Sequence, residues 1–180
     1  ILRAGQAAGL RPKLHADQLS AGGGAELAAE VGAASADHLE HISDEGIHRM
    51  AEAGVVAVSL PLATLYLNQR PLPARRLIEA GVPVAVATDF NPGSAPSFHL
   101  PLAMMLGCTL QRMTPAEVLA GATLVAAQAI GLEHEVGSLE VGKAADFAVI
   151  DAPDLNHWMY HFRGNACRRT VIAGQTVFSA

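Results

Sequence analysis

Short apolar runs recur along the first half of this chain, and several drive straight into a polar or acidic tip. Val82-Pro83-Val84-Ala85-Val86-Ala87 runs into Thr88-Asp89 and then into the turn-forming Phe90-Asn91-Pro92-Gly93-Ser94. Pro12-Lys13-Leu14 leads to His15, and Ser35-Ala36-Asp37 leads to His38. Val55 to Leu60 is apolar apart from Ser59 and stops at Pro61, as a strand buried on both faces does. Between the runs lie helical patterns with helical stops. Ala25 to Val31 carries small residues on one face. Ser43-Asp44-Glu45 caps a helix that runs to Ala53 and ends at Gly54, and Ala74 to Ala80 ends at Gly81. Strands near 13–16, 35–39, 55–60 and 82–88 thus alternate with helices, which predicts parallel βαβ units. Gly22-Gly23-Gly24 reads as a flexible break.

Two helices are predicted next, over 101–112 and 114–130. The second opens on Thr114-Pro115-Ala116-Glu117, a capping box with Pro at the first helical position. The character changes after residue 131. Gly137 to Asp146 is turn-rich and lacks the spacing of a phosphate loop, so nucleotide binding is rejected there. Residues 147–150, 170–173 and 176–178 read as short strands, with Gly174-Gln175 as the hairpin turn between the last two. Four βα units are about half of an eight-stranded barrel, which takes ~250 residues. A doubly wound open sheet fits the same periodicity. The opening Ile1 to Leu10 reads as the end of a helix already under way, so the chain is expected to be the C-terminal part of something longer.

Composition narrows the function. Hydrophobic residues are 51% of the 180, charged residues 16% and aromatics 4%, which suits a layered α/β interior built from Ala, Val, Leu and Gly. The formal net charge is −5, and Arg75-Arg76 and Arg168-Arg169 are isolated pairs, so no nucleic-acid partner is expected. No signal-peptide pattern and no bilayer-length apolar run is seen, so no membrane partner and a cytoplasmic location are expected. Cys108 and Cys167 lie far apart without metal spacing and read as buried or incidental thiols, with a disulfide left open.

His15, His38 and Asp89, each at a strand tip, suggest a metal-dependent hydrolase. Such a site holds its ion with neutral imidazoles or carboxylates and keeps a position open for water. His15 and Asp89 are the candidate ligands. His38 is a third ligand or a group that polarises substrate and shuttles protons, and Asp89 can also accept a proton from the attacking water. The plainer alternatives are a hydrogen-bonding histidine at each strand end and an Asx cap at Asp89. Asn91-Pro92-Gly93-Ser94 is a β-turn by pattern, yet its amide, N–H and hydroxyl groups can grip a carboxylate. Gln18, three residues past His15, can reach a substrate's polar edge. His41, His48, His99, His134, His157 and His161 lack such placement.

Lys13-Leu14-His15-Ala16-Asp17-Gln18-Leu19, Ser35-Ala36-Asp37-His38-Leu39-Glu40 and above all Ala87-Thr88-Asp89-Phe90-Asn91-Pro92-Gly93-Ser94 resemble the imidazolonepropionases of the amidohydrolase superfamily. Gly137 to Asp146 is similar to that superfamily's return from barrel to small β domain. The resemblance covers essentially the whole chain against the family's C-terminal half. It implies an α/β fold: the C-terminal half of a (β/α)8 TIM barrel over 1–131, and a small β element of a composite β domain over 132–180. It also implies hydrolysis of 4-imidazolone-5-propanoate to N-formimidoyl-L-glutamate in histidine degradation, with one Zn2+ or Fe ion. By matching motif, His15 and Asp89 would be metal ligands, and Asp89 and His38 catalytic groups. Gln18, Asn91, Gly93 and Ser94 would contact the imidazolone propionate, and a homodimer of the whole protein is an open expectation. The family's first-strand His-x-His pair, its fourth-strand histidine and its substrate-holding Arg and Tyr are absent from these residues. The chain alone is therefore expected to bind metal weakly and to turn over no substrate. The alternatives are another amidohydrolase such as a nucleobase deaminase, or a non-catalytic fragment acting as an assembly module.

Overall fold

The computed structural model describes residues 1–162 and 164–180. Helix α1 (Leu2–Ala7) leads into β1 (Lys13–Ala16), followed by α2 (Gly24–Glu30), β2 (Ser35–His38), α3 (Asp44–Ala53) and β3 (Val56–Ser59). Two short helices, α4 (Pro61–Tyr66) and α5 (Ala74–Glu79), precede β4 (Val84–Val86). Then come α6 (Leu100–Gln111), α7 (Pro115–Ala122) and α8 (Leu124–Ile130). The remainder holds β5 (Phe147–Ile150), α9 (Leu155–Tyr160), β6 (Cys167–Ile172) and β7 (Gln175–Ser179).

The first four strands pair in parallel in the order β1-β2-β3-β4. That order separates the two architectures left open by periodicity. A doubly wound sheet reverses its strand order at a switch point, whereas a barrel winds one way. This sheet winds one way and is a four-stranded segment of a (β/α) barrel. A second, antiparallel sheet has the order β5-β6-β7. Helix α9 packs on α6 and α7 and buries Met159 in the main core.

Small residues let the helices close on the parallel sheet. A Cβ at Gly121 of α7 would stand 2.9 Å from the carbonyl oxygen of Val84, so only glycine allows this approach to β4. A Cβ at Gly46 of α3 would stand 2.8 Å from that of Ala25 on α2. The covered strands accordingly read Val-Ala-Val-Ser and Val-Ala-Val, buried throughout. Capping follows the sequence. The Ser43 hydroxyl accepts the Gly46 N–H at 2.8 Å, and Gly54 ends α3 in left-handed backbone. On α7, Glu117 accepts the Thr114 N–H at 2.7 Å while Thr114 accepts the Glu117 N–H at 3.2 Å.

Several expectations needed correction. The single helix expected over 114–130 is two helices, broken at Thr123, whose φ and ψ are −127° and −90°. Thr123 Oγ1 donates to the Leu119 carbonyl at 2.7 Å, a local bond that competes with helix continuation. The hairpin turn is Ala173-Gly174, not Gly174-Gln175. Both residues have positive φ, 49° and 76°, and the Ala173 N–H is held by Asp146 Oδ1 at 2.7 Å. Pro61 ends one strand and also starts α4, which was not foreseen. Nor was α9. Gly22-Gly23-Gly24 is pinned rather than loose, because Asp17 Oδ1 accepts the N–H groups of Gly22 (2.7 Å) and Gly24 (3.2 Å). Both cysteines are free and half-buried. Among the described residues, no helix is long and apolar enough to cross a membrane.

Candidate active site at the strand ends

Three of the four parallel strands are followed by non-glycine residues in left-handed backbone. After β1 it is Asp17 (φ 49°), at the end of β2 His38 (φ 78°) and Leu39 (φ 67°), and after β4 Asp89 (φ 53°). Each such residue costs about 1–3 kcal/mol and persists only where its surroundings over-determine it, which occurs most at functional sites. The bends fold the polar tips back over the strand ends. Ala16 pairs with His38 across β1 and β2, which makes His15 and His38 neighbours. Their rings lie 4.3 Å apart between centroids, tilted by 40°. On the other side, His38 Nε2 reaches past β3 to within 3.9 Å of Asp89 Oδ2. His38 is therefore the bridge of the cluster. Its side chain is 3% exposed and that of Asp89 28%, so one end of the cluster is dry and the other wet.

The expected helpers flank this line. His15 Nε2 donates to Gln18 Oε1 at 2.9 Å. Asp17 braces the loop behind them, with Oδ2 accepting the Ala25 N–H at 2.9 Å near the start of α2. A shallow groove of about 350 Å³ opens there beside His15, Asp17 and Gln18. Past Asp89, Asn91 Oδ1 accepts the N–H groups of Gly93 (2.9 Å) and Ser94 (2.8 Å), and Asn91 Nδ2 donates to the Asp89 carbonyl at 2.7 Å. The Asn91 amide is thus committed within its own loop, while Gly93 is exposed and Ser94 half-buried. Of the other histidines, His99 caps α6 by accepting the Leu102 N–H at 2.9 Å, and His157 stacks on His161.

One participant escaped the sequence reading. Glu40 is as buried as any apolar core residue, and its Oε1 lies 3.6 Å from His38 Nδ1. The Thr64 hydroxyl of α4 donates to the same oxygen at 3.0 Å. No local pattern in the sequence marks it, because the left-handed turn at His38 and Leu39 and the contact with Thr64 are what bring it to the ring.

The donor set of two imidazoles and a carboxylate suits a divalent metal in kind. It does not suffice in number. A catalytic zinc takes three protein ligands and a water, and among the described residues no group of three or more His, Cys, Asp or Glu is placed to hold an ion. The contacts run as a line, His15 to His38 to Asp89, rather than meeting at a point.

A family model described as Amidohydrolase family matches residues 11–177. The chain belongs to the amidohydrolase family. Among curated amidohydrolase relatives, it is 55% identical to the imidazolonepropionase of Geobacillus thermodenitrificans (strain NG80-2), over 98% of this chain and 42% of that protein. It is 53% identical to the imidazolonepropionase of Brevibacillus brevis, over 100% of this chain and 42% of that protein. The chain therefore spans well under half the length of these relatives. Among solved structures, a zinc-bound adenosine deaminase from Xanthomonas campestris superposes with a TM-score of 0.82. That match covers 97% of this chain and 46% of the other at 24% identity, a likeness of fold.

Proposed function

We propose that this amidohydrolase chain supplies one side of an imidazolonepropionase active site, with the barrel segment over 1–131 and a contribution to a small β domain over 132–180. The observation that carries this reading is the line of contacts from His15 through His38 to Asp89 at one end of the parallel sheet. The identity to imidazolonepropionases supports the substrate. His15 and Asp89 would be ligands to one Zn2+ or Fe ion together with groups outside this chain; a bound ion lowers the pKa of a water and polarises a carbonyl.

The chain's own residues have the following work. Water adds to the ring carbonyl carbon of 4-imidazolone-5-propanoate, the adjacent C–N bond breaks, and the departing nitrogen takes up a proton. Asp89 accepts the proton lost by the water and returns it to that nitrogen. His38, with Nε2 3.9 Å from Asp89, is close enough to take a proton from the reacting side and pass it on through one intervening water. Gln18, Ser94 and the exposed backbone of Gly93 line the substrate's polar edges, the Gly93 N–H itself being held by Asn91 Oδ1. Asn91 serves by keeping the Asp89 loop in shape.

The test is hydrolysis of 4-imidazolone-5-propanoate by a protein of the relatives' length that carries this sequence, with N-formimidoyl-L-glutamate measured as product. Asp89→Asn is expected to lower kcat by about 100- to 10,000-fold. Activity on a nucleobase with none on the imidazolone would overturn the substrate, and full activity of Asp89→Asn would overturn the site.

A further inference from the structure

Two buried polar atoms beside the site have no hydrogen-bond partner among the described residues: His38 Nδ1 and Glu40 Oε2. They belong to side chains 3% and 1% exposed that face each other across 3.6 Å, measured to Glu40 Oε1. We infer that Glu40 is a positioning residue that holds His38 in the tautomer with its proton on Nδ1, leaving the Nε2 lone pair directed at the reacting side.

A neutral imidazole carries one N–H and one lone pair, and which nitrogen holds the proton is set by what faces each. Both nitrogens of His38 face a carboxylate, Glu40 at Nδ1 and Asp89 at Nε2. The two carboxylates are not equivalent. Asp89 is 28% exposed, so its open lone pairs can be satisfied by water. Glu40 is sealed in, receives one bond from Thr64 and has an oxygen with no donor. A proton on Nε2 would leave a lone pair on Nδ1 facing carboxylate oxygens in a dry enclosure, where unmet polar groups cost most. A proton on Nδ1 removes that clash, and a shift of a few tenths of an ångström makes a normal hydrogen bond. The backbone is built for this contact. His38 and Leu39 are both left-handed, which turns the chain so that Glu40 comes back beside the ring it follows. Thr64, held in the first turn or so of α4, fixes the carboxylate from below.

That Nε2 then meets the reacting atoms rests on the function proposed above; the tautomer itself does not. The imidazole nitrogens of the 15N-labelled chain can be read by long-range 1H–15N correlation without substrate. His38 is expected in the Nδ1–H form, and in Glu40→Leu it should move to the Nε2–H form or a mixture. An Nε2–H form in the unaltered chain overturns the inference, whether or not the variant folds. So does a folded Glu40→Leu that keeps the proton on Nδ1. In a protein of the relatives' length, Glu40→Leu should lower kcat by about 10- to 100-fold with KM nearly unchanged, as loss of an orienting partner does. A raised KM with full kcat would overturn the inference. Absence of imidazolone hydrolysis by the unaltered protein would sink the proposed function and leave the tautomer result standing.

Discussion

The two sheets of this molecule differ in a way that strand length does not reveal. Strand β4 is three residues long and wholly buried, whereas β7 is five residues long and exposed along its whole length. The parallel sheet is covered by α2 on β1 and β2 and by α7 and α8 on β3 and β4, and carries most of the core; the antiparallel sheet shows Phe147, Val149, Ile172, Val177 and Phe178 to solvent. Each sheet ends in two edge strands, so cover rather than pairing separates them. The strained residues of the candidate site, Asp17, His38, Leu39 and Asp89, all stand on the covered sheet. Strain of about 1–3 kcal/mol at each position needs a tightly packed support.

The largest effect should come from removing that support. Leu77 of α5 is fully buried in the main core, next to β4. Leu77→Ala is expected to cost about 2–5 kcal/mol, the range for a large core deletion whose cavity does not collapse. Urea unfolding would measure it, and a loss under about 1 kcal/mol would mean the core around β4 is loose. Next is Gly121→Ala. Its new methyl would press on the Val84 carbonyl and Val86, and overpacking of this kind costs about 1–3 kcal/mol. Stability unchanged by this variant would show that α7 can move off the sheet.

Much of the covered region was legible in the sequence, and the reasons are local. Strands β3 and β4 announce themselves as apolar runs because both of their faces are buried, and α3 and α7 carry caps readable from four or five residues. The polar tips His15, His38 and Asp89 stand out because they interrupt such runs. What escaped depends on groups far apart in the chain. Glu40 looks like any surface carboxylate until Thr64 and His38 close over it. The break at Thr123 and the start of α4 at Pro61 lie inside patterns that read equally well another way. The hairpin slipped by one residue because Ala173 is a poor candidate for positive φ, and its N–H is held by Asp146, 27 positions earlier.

A smaller effect is expected at the edge of the covered region, where α5 meets α7. Arg75 donates to Glu117 Oε1 at 3.1 Å, and this bond, with those from Thr114, holds the Glu117 carboxyl below its ordinary range. Thr114→Ala should cost about 1 kcal/mol, the usual value of a lost N-cap. Because the folded-state pKa of Glu117 is depressed, its contribution is fully present above the ordinary carboxylate range and is lost as pH falls through the folded-state value. The stability gap between the native chain and Glu117→Gln should therefore be constant near neutrality and close on acidification. A gap that stays constant into acid would mean that the charge of Glu117 plays no part.

The smallest effect should be found on the antiparallel sheet, and it sharpens the contrast most. Val177 of β7 is 59% exposed. Val177→Thr keeps the β-branched shape and strand preference while adding a hydroxyl that water can meet, so the change should stay within about 0.5 kcal/mol. The same substitution at Val84, buried in β4, would place that hydroxyl in the core without a ready partner and should cost several times more. Equal costs at the two positions would break the comparison. A large cost at Val177 alone, rising with protein concentration, would mean that the outer face of β7 is covered in solution by a second copy of the chain.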